Sequence, residues 1–148
     1  MSKPIVVGYD GSEAAGAALE RAIVEAGATG GELVVVAVAE MTLETQGSMV
    51  FGAVGDVPLP AVPIVEPPEI THVLDVARER VEPTGLPAEY VWEAGDAAGA
   101  ILREAQERGA GLVVVGKTHH SRLGRWLGTD VAAEVEQAAG CRVLLVEA

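Results

Sequence analysis

The sequence predicts an α/β protein built on one open parallel sheet of five strands, with helices on both faces. Three observations predict it. Short, almost wholly apolar runs recur along the 148 residues, most plainly Ile5-Val6-Val7, Leu33 to Val38 and Leu112 to Val115. Their apolar character is continuous rather than alternating, as in strands covered on both faces of a parallel sheet. Between them lie stretches with apolar residues at helical spacing. Strand and helix alternate to the end of the chain, which calls for right-handed crossovers within one sheet.

Pro4 to Tyr9 reads as the first strand, too short and too β-branched for a helix. Asp10-Gly11-Ser12 closes it. Ser12 is placed to cap a helix with Glu13 in its first turn. That helix is expected to reach about Ala26, with Gly27, Gly30 and Gly31 ending it. Leu33 to Val38 is the second strand. Residues 41–68 form an insertion rich in glycine and proline, with Pro58, Pro60, Pro63, Pro67 and Pro68, in which no helix survives. It also carries Met49, Val50, Phe51, Leu59 and Ile64. This is too apolar for a plain linker. A lid, a surface against a partner subunit and a simple surface insertion all fit it.

Ile70, Val73, Leu74 and Ala77 give the stripe of an amphipathic helix from about Glu69 to Val81. Pro83 and Gly85 break it. Ala88 to Trp92 alternates, as suits an edge strand. Asp96 caps a helix that presents Ala97, Ala98, Ile101, Leu102 and Ala105 and stops at Gly109. Leu112 to Val115 is the fourth strand. A last helix from Asp130, capped by Thr129 and stopped by Gly140, leads to the fifth strand, Arg142 to Val146. A chain of this length with 49% apolar residues reads as a single domain over residues 1–148.

The composition excludes several functions. A net charge of −12, from 22 Asp and Glu against 10 Lys and Arg, argues against nonspecific nucleic-acid binding. No apolar run is long enough to span a bilayer, and the opening residues do not read as a signal peptide. Cys141 is the only cysteine, so no intrachain disulfide forms and a reducing cytoplasm is the expected location.

One stretch stands out against this acidic background. Gly116 to Thr129 carries Gly116, Gly124 and Gly128, with Lys117, Arg122 and Arg125 and no acidic residue. A cationic, glycine-bearing loop from a strand end to a helix start suits an anionic ligand, because free amides and the helix dipole favour negative charge there. An ordinary connection with solvated basic residues fits the same letters. Open parallel sheets bind ligands at strand carboxyl ends where the winding reverses. With strand order 3-2-1-4-5, that crevice brings Tyr9-Asp10 to face the Gly116 loop. Asp10 would accept hydrogen bonds from a base amine or ribose hydroxyl.

These residues carry a family resemblance. Val6-Val7-Gly8-Tyr9-Asp10-Gly11-Ser12, the run Val34 to Val38, Gly95-Asp96-Ala97-Ala98-Gly99-Ala100-Ile101, and Leu112 to Gly116 with Leu127-Gly128-Thr129 and Cys141 to Val146 resemble the universal stress protein family over nearly the whole chain. The resemblance implies a Rossmann-like sheet of order 3-2-1-4-5, of the adenine nucleotide alpha hydrolase-like kind. It implies a homodimer through the last strand, Arg142 to Val146, and ATP or another adenine nucleotide in the cleft. By position, Asp10 would contact the adenosine with Tyr9 beside it, and Val38 would pack on the adenine. Gly116 would approach the ribose, with Gly128 and Thr129 on phosphate.

The family's loop pattern is Gly, two residues, Gly, nine residues, Gly, then Ser or Thr. Here His119 stands at the second glycine, only eight residues separate it from Gly128, and Asp130 follows Thr129. A histidine resists a left-handed backbone more than glycine does. Asp130 repels phosphate unless Mg²⁺ bridges or the side chain turns to its own helix start. Lys117 and His119 offer compensating donors. The resemblance therefore implies an adenine nucleotide-binding protein of stress response or regulation, ATP or AMP and cyclic AMP being the ligand class. At most slow ATP turnover accompanies it, since nothing assembles an acid, a base and a nucleophile. A nucleotide-free dimeric interaction module with a degenerate site is the alternative.

Two other motifs fail on context. Gly111 to Thr118 matches the P-loop letters, but its middle is a strand and no helix follows at once. His119-His120 lacks a neighbouring third ligand for a metal.

Overall fold

The computed structural model describes residues 3–39, 67–117 and 129–148, the side chains of 129–132 excepted. Residues 41–66 of the insertion, and with them His119 and Gly128, lie outside the described residues. The elements are β1 (Ile5–Gly8), α1 (Glu13–Thr29), β2 (Leu33–Ala39), α2 (Pro68–Val81), β3 (Ala88–Ala94), α3 (Ala97–Arg108), β4 (Leu112–Lys117), α4 (Thr129–Ala138) and β5 (Arg142–Glu147). A single 3₁₀ turn, Glu82–Thr84, follows α2.

All neighbouring strands are parallel, in the order β3-β2-β1-β4-β5. Steps from β1 to β3 move one way, and those from β3 to β5 move back. Right-handed crossovers therefore put α1 and α2 on one face and α3 and α4 on the other. Side chains of β3 show both faces covered. Tyr90 lies under the Arg78 guanidinium of α2, 4.7 Å from ring centroid. Glu93 and Glu89, on the opposite pleat, pair with Arg103 and Arg108 of α3. The edge strand is thus covered by charged tethers on the α3 face, where α3 itself packs over β1 and β2.

The core is built of small and β-branched residues. Val6, Val7, Val34 to Val36, Val113 and Val114 have no exposed surface, and β1 and β4 are buried along their apolar runs. The helices meet the sheet through Ala15, Ala18, Leu19 and Ala22 of α1, Leu74 and Ala77 of α2, and Ala98 and Ile101 of α3. Small residues let the helices approach closely, which is how so few aromatics suffice.

Strand ends differ from the sequence expectation by one or two residues, and three helix boundaries differ as well. α1 runs through Gly27 to Thr29, and only Gly30, at φ 72°, provides the left-handed cap. The next helix starts at Pro68 rather than Glu69, with proline at a position whose N–H has no helical partner anyway. Thr129 is already helical in α4 rather than standing before it. The caps at Ser12 and Asp96 form as expected, each side chain accepting the N–H three residues on.

Candidate functional site

β1 and β4 are adjacent and in register, Ile5 beside Leu112 and Val7 beside Val114. They are the pair at which the strand order turns back. β1 ends at Gly8, and the chain leaves it through Tyr9 and Asp10. The Tyr9 N–H still bonds the Val36 carbonyl of β2 at 2.9 Å, so the neighbouring strand holds this exit. The Tyr9 side chain is buried, at 2% exposure, and its hydroxyl is pushed up in pKa by burial, with the Arg80 charge opposing. Tyr9 therefore belongs to the core just below the end of β1.

Asp10 is half-buried. Its carboxylate accepts the Ser12 N–H at 2.8 Å, and the intervening Gly11 has φ 82°, a value that disfavours any residue with a Cβ. Burial raises the Asp10 pKa above the ordinary 3.8, while the Ser12 hydroxyl and N–H hold it down. The Ser12 hydroxyl also accepts the Ala15 N–H at 3.1 Å, capping α1. A carboxylate kept half out of water at the carboxyl end of a central strand is a strong acceptor for a ligand's N–H or O–H, because its solvation is already partly lost.

Gly116 enters the site for a reason the sequence did not disclose. A Cβ on it would lie 2.6 Å from the Ala14 carbonyl carbon, 2.7 Å from the Ala14 oxygen and 2.8 Å from the Ala15 nitrogen. The end of β4 is thus seated against the backbone of the first turn of α1. That turn joins the two halves of the site: Ser12 holds Asp10, and Ala14-Ala15 seats Gly116. Lys117 follows, half-buried as the last residue of β4 and level with Glu147 of β5.

The structure brings Tyr9, Asp10, Gly116 and Lys117 to one end of the sheet. Val38, 2% exposed near the end of β2, lies at the same end. α4 begins at Thr129 and Asp130, on the connection from β4 to β5. Sequence reasoning gave Ser12 only a capping role. The Asp-x-Ser spacing, which allows a carboxylate to reach the N–H two residues on, was the available signal. Among the described residues no group of three His, Cys, Asp or Glu side chains is placed to hold a metal ion, and no helix is long and apolar enough to cross a membrane.

An open parallel sheet that reverses its winding between two central strands is an α/β fold of the doubly wound class, in which that reversal is the usual place for a ligand. Residues 1–147 match the sequence model of the universal stress protein family, and the chain belongs to that family. It is 30% identical over 151 residues to universal stress protein YxiE of Bacillus subtilis (strain 168), covering 99% of each chain. Its fold is similar to that of a universal stress protein crystallised in complex with cAMP, with TM-score 0.67 and 24% identity over 97% of this chain and 96% of that one. It is similar also to a universal stress protein from Archaeoglobus fulgidus in complex with dAMP, with TM-score 0.66 and 21% identity over 97% of each chain.

Proposed function

We propose that this protein binds an adenine nucleotide in the cleft between the carboxyl ends of β1 and β4 and acts in stress response or regulation. The observation that carries this reading is the half-buried Asp10 carboxylate, held by Ser12 at the point where the winding reverses. Relatives of the same fold bind cAMP and dAMP, which supports the same ligand class here. Asp10 accepts from the adenosine, with Tyr9 and Val38 forming the apolar wall on which it rests. Gly116 and Lys117 lie on the ribose side. His119, Gly128 and Thr129 take the phosphates. With Asp130 next to them, ATP requires Mg²⁺ as a bridge, whereas AMP and cyclic AMP carry less charge to repel. The protein works as one domain in the cytoplasm and as a binding protein, with turnover of ATP slow at most.

The reading is tested by denaturing purified protein and identifying released small molecules by mass spectrometry. Recovery of an adenine nucleotide supports it. A protein that is empty and binds none when nucleotides are added instead favours the nucleotide-free interaction module, for which the departures at His119 and Asp130 speak.

The protein pairs with a second copy through β5. β5 is an edge strand whose Val143, Leu144, Leu145 and Val146 remain only half-buried. An uncovered apolar edge strand is a pairing template. An antiparallel pairing centred on Leu144-Leu145 sets Arg142 of one copy opposite Glu147 of the other. Leu144→Glu and Leu145→Glu each introduce a charge on one face of that seam, and sedimentation is expected to shift from dimer to monomer in at least one of them. A wild-type protein that sediments as a monomer at micromolar concentration overturns the dimer.

A further inference from the structure

We propose that Glu93 and Glu104 form a proton-operated latch between the edge strand β3 and helix α3: one proton held between the two carboxyls closes it, and loss of that proton loosens it. The proposal does not depend on what the cleft binds. It starts from a single atom. Glu93 Oε1 accepts from the Arg103 guanidinium of α3 at 2.5 Å. Glu93 Oε2 is cut off from solvent and has no hydrogen-bond partner among the described residues. An ionised carboxylate has acceptor sites to satisfy on both oxygens. Leaving one oxygen dry and unbonded costs more for a charged group than for a neutral one. The neutral acid removes most of that cost where its O–H meets an acceptor.

Glu104 is that acceptor. It follows Arg103 on α3, and its side chain is 12% exposed, against 18% for Glu93. Arg108 Nε donates to Glu104 Oε2 at 2.7 Å, which keeps Glu104 the ionised member and leaves the proton to Glu93. Arg108 also pairs with Glu89, on the same pleat of β3 as Glu93. Among the described residues, α3 turns Arg103, Glu104 and Glu107 toward Glu93, β3 itself adds Glu89, already engaged by Arg108, and β2 sets the apolar Val38 beside it in register. Burial first, then the Glu104 and Glu107 charges, push the Glu93 pKa above the ordinary 4.5, with Arg103 opposing. Folding therefore favours the protonated acid. No penalty exists below the ordinary value; one grows as pH rises through the raised folded value and persists above it. β3 has a neighbouring strand on one side only, so its tethers to α3 decide how firmly its carboxyl end is held.

The test uses Glu93→Gln and Glu104→Gln in the full chain. Glutamine at position 93 keeps an oxygen for Arg103 and turns an N–H toward Glu104, so it copies the closed latch at every pH. Thermal unfolding without nucleotide should place Glu93→Gln above wild type by about 2–4 °C at neutral pH, with the gap closing as pH falls toward 4.5. Asp10 shifts stability in the same direction, but both proteins carry it and it cancels. Carbon-detected NMR of the Glu93 carboxyl should give a titration midpoint above 4.5 in wild type. In Glu104→Gln the midpoint should fall, because an amide replaces the neighbouring charge and donates to the unbonded oxygen. A wild-type midpoint at or below 4.5 overturns the proposal, and so does a stability gap that is constant with pH. A raised midpoint that is the same in Glu104→Gln overturns the pair, since Glu93 then holds its proton without Glu104.

Discussion

Gly116→Ala destabilises the protein by about 1–3 kcal/mol, the usual cost of forcing an extra carbon into a packed interior, and Gly116→Val by more. The reason is that the new Cβ meets backbone rather than a side chain that can swing away. Its nearest neighbours would be Ala14 C at 2.6 Å, Ala14 O at 2.7 Å and Ala15 N at 2.8 Å. Either β4 or the first turn of α1 must move. β4 is paired on both sides, by β1 and β5, so the helix turn gives way. Thermal unfolding without nucleotide measures the effect, at about 2–4 °C per kcal/mol for a domain of this size. Because that turn carries Ser12, the same substitution misplaces Asp10 and weakens nucleotide binding as well. A melting temperature equal to wild type in the unliganded protein would show that Gly116 is needed only for ligand approach.

Asp10→Asn is expected to do two opposite things. It stabilises the unliganded protein at neutral pH, and it weakens nucleotide binding by about 10- to 100-fold, the range for hydrogen bonds to a charged group. The sign of the first effect follows from linkage. Burial raises the Asp10 pKa in the folded state above its ordinary 3.8. Folding then favours the protonated form, so no penalty exists below the ordinary value. A penalty grows as pH rises from there through the raised folded value and persists above it. Asparagine keeps an oxygen for the Ser12 N–H and carries no charge to desolvate. Denaturant unfolding at neutral pH and at pH 3 separates the cases: the variant should gain stability over wild type at neutral pH and lose most of that advantage in acid. If Asp10 served only to brace its turn, the substitution would leave nucleotide binding intact. A carboxylate that costs stability where it stands fits a group retained for what it binds.

Much of the fold was legible because local patterns and global topology agree. Valine runs at Val34–Val36 and Val113–Val115 leave little choice but buried strands, and Ser12 and Asp96 mark helix starts by side-chain chemistry that acts within three residues. The edge position of β3 was readable from its alternation. What escaped depends on contacts between distant segments. Gly27 looked like a helix stop, yet the helix continues, because burial of Ala22 and Ala26 against the sheet outweighs the modest cost of one glycine. Arg103 and Arg108 carried no assignment from the sequence, and they tether Glu93 and Glu89 of β3. Gly116 was read for its closeness to a ligand. Its closeness to Ala14, roughly a hundred residues away in sequence, could be seen only once β4 and α1 were placed side by side. The placement of Asp10 just past the end of β1 was legible because it is local. His119 and Gly128 lie outside the described residues.

The most direct test of the central claim is a calorimetric titration of the stripped wild-type protein and of Asp10→Asn with AMP, cyclic AMP and ATP, the last with and without Mg²⁺. Micromolar binding by wild type, about −8 kcal/mol, with a loss in Asp10→Asn while the fold is kept, is the predicted result. A Mg²⁺ requirement confined to ATP would place Asp130 at the phosphates. Absence of binding by wild type, or equal affinity in Asp10→Asn, would contradict the assignment of the cleft.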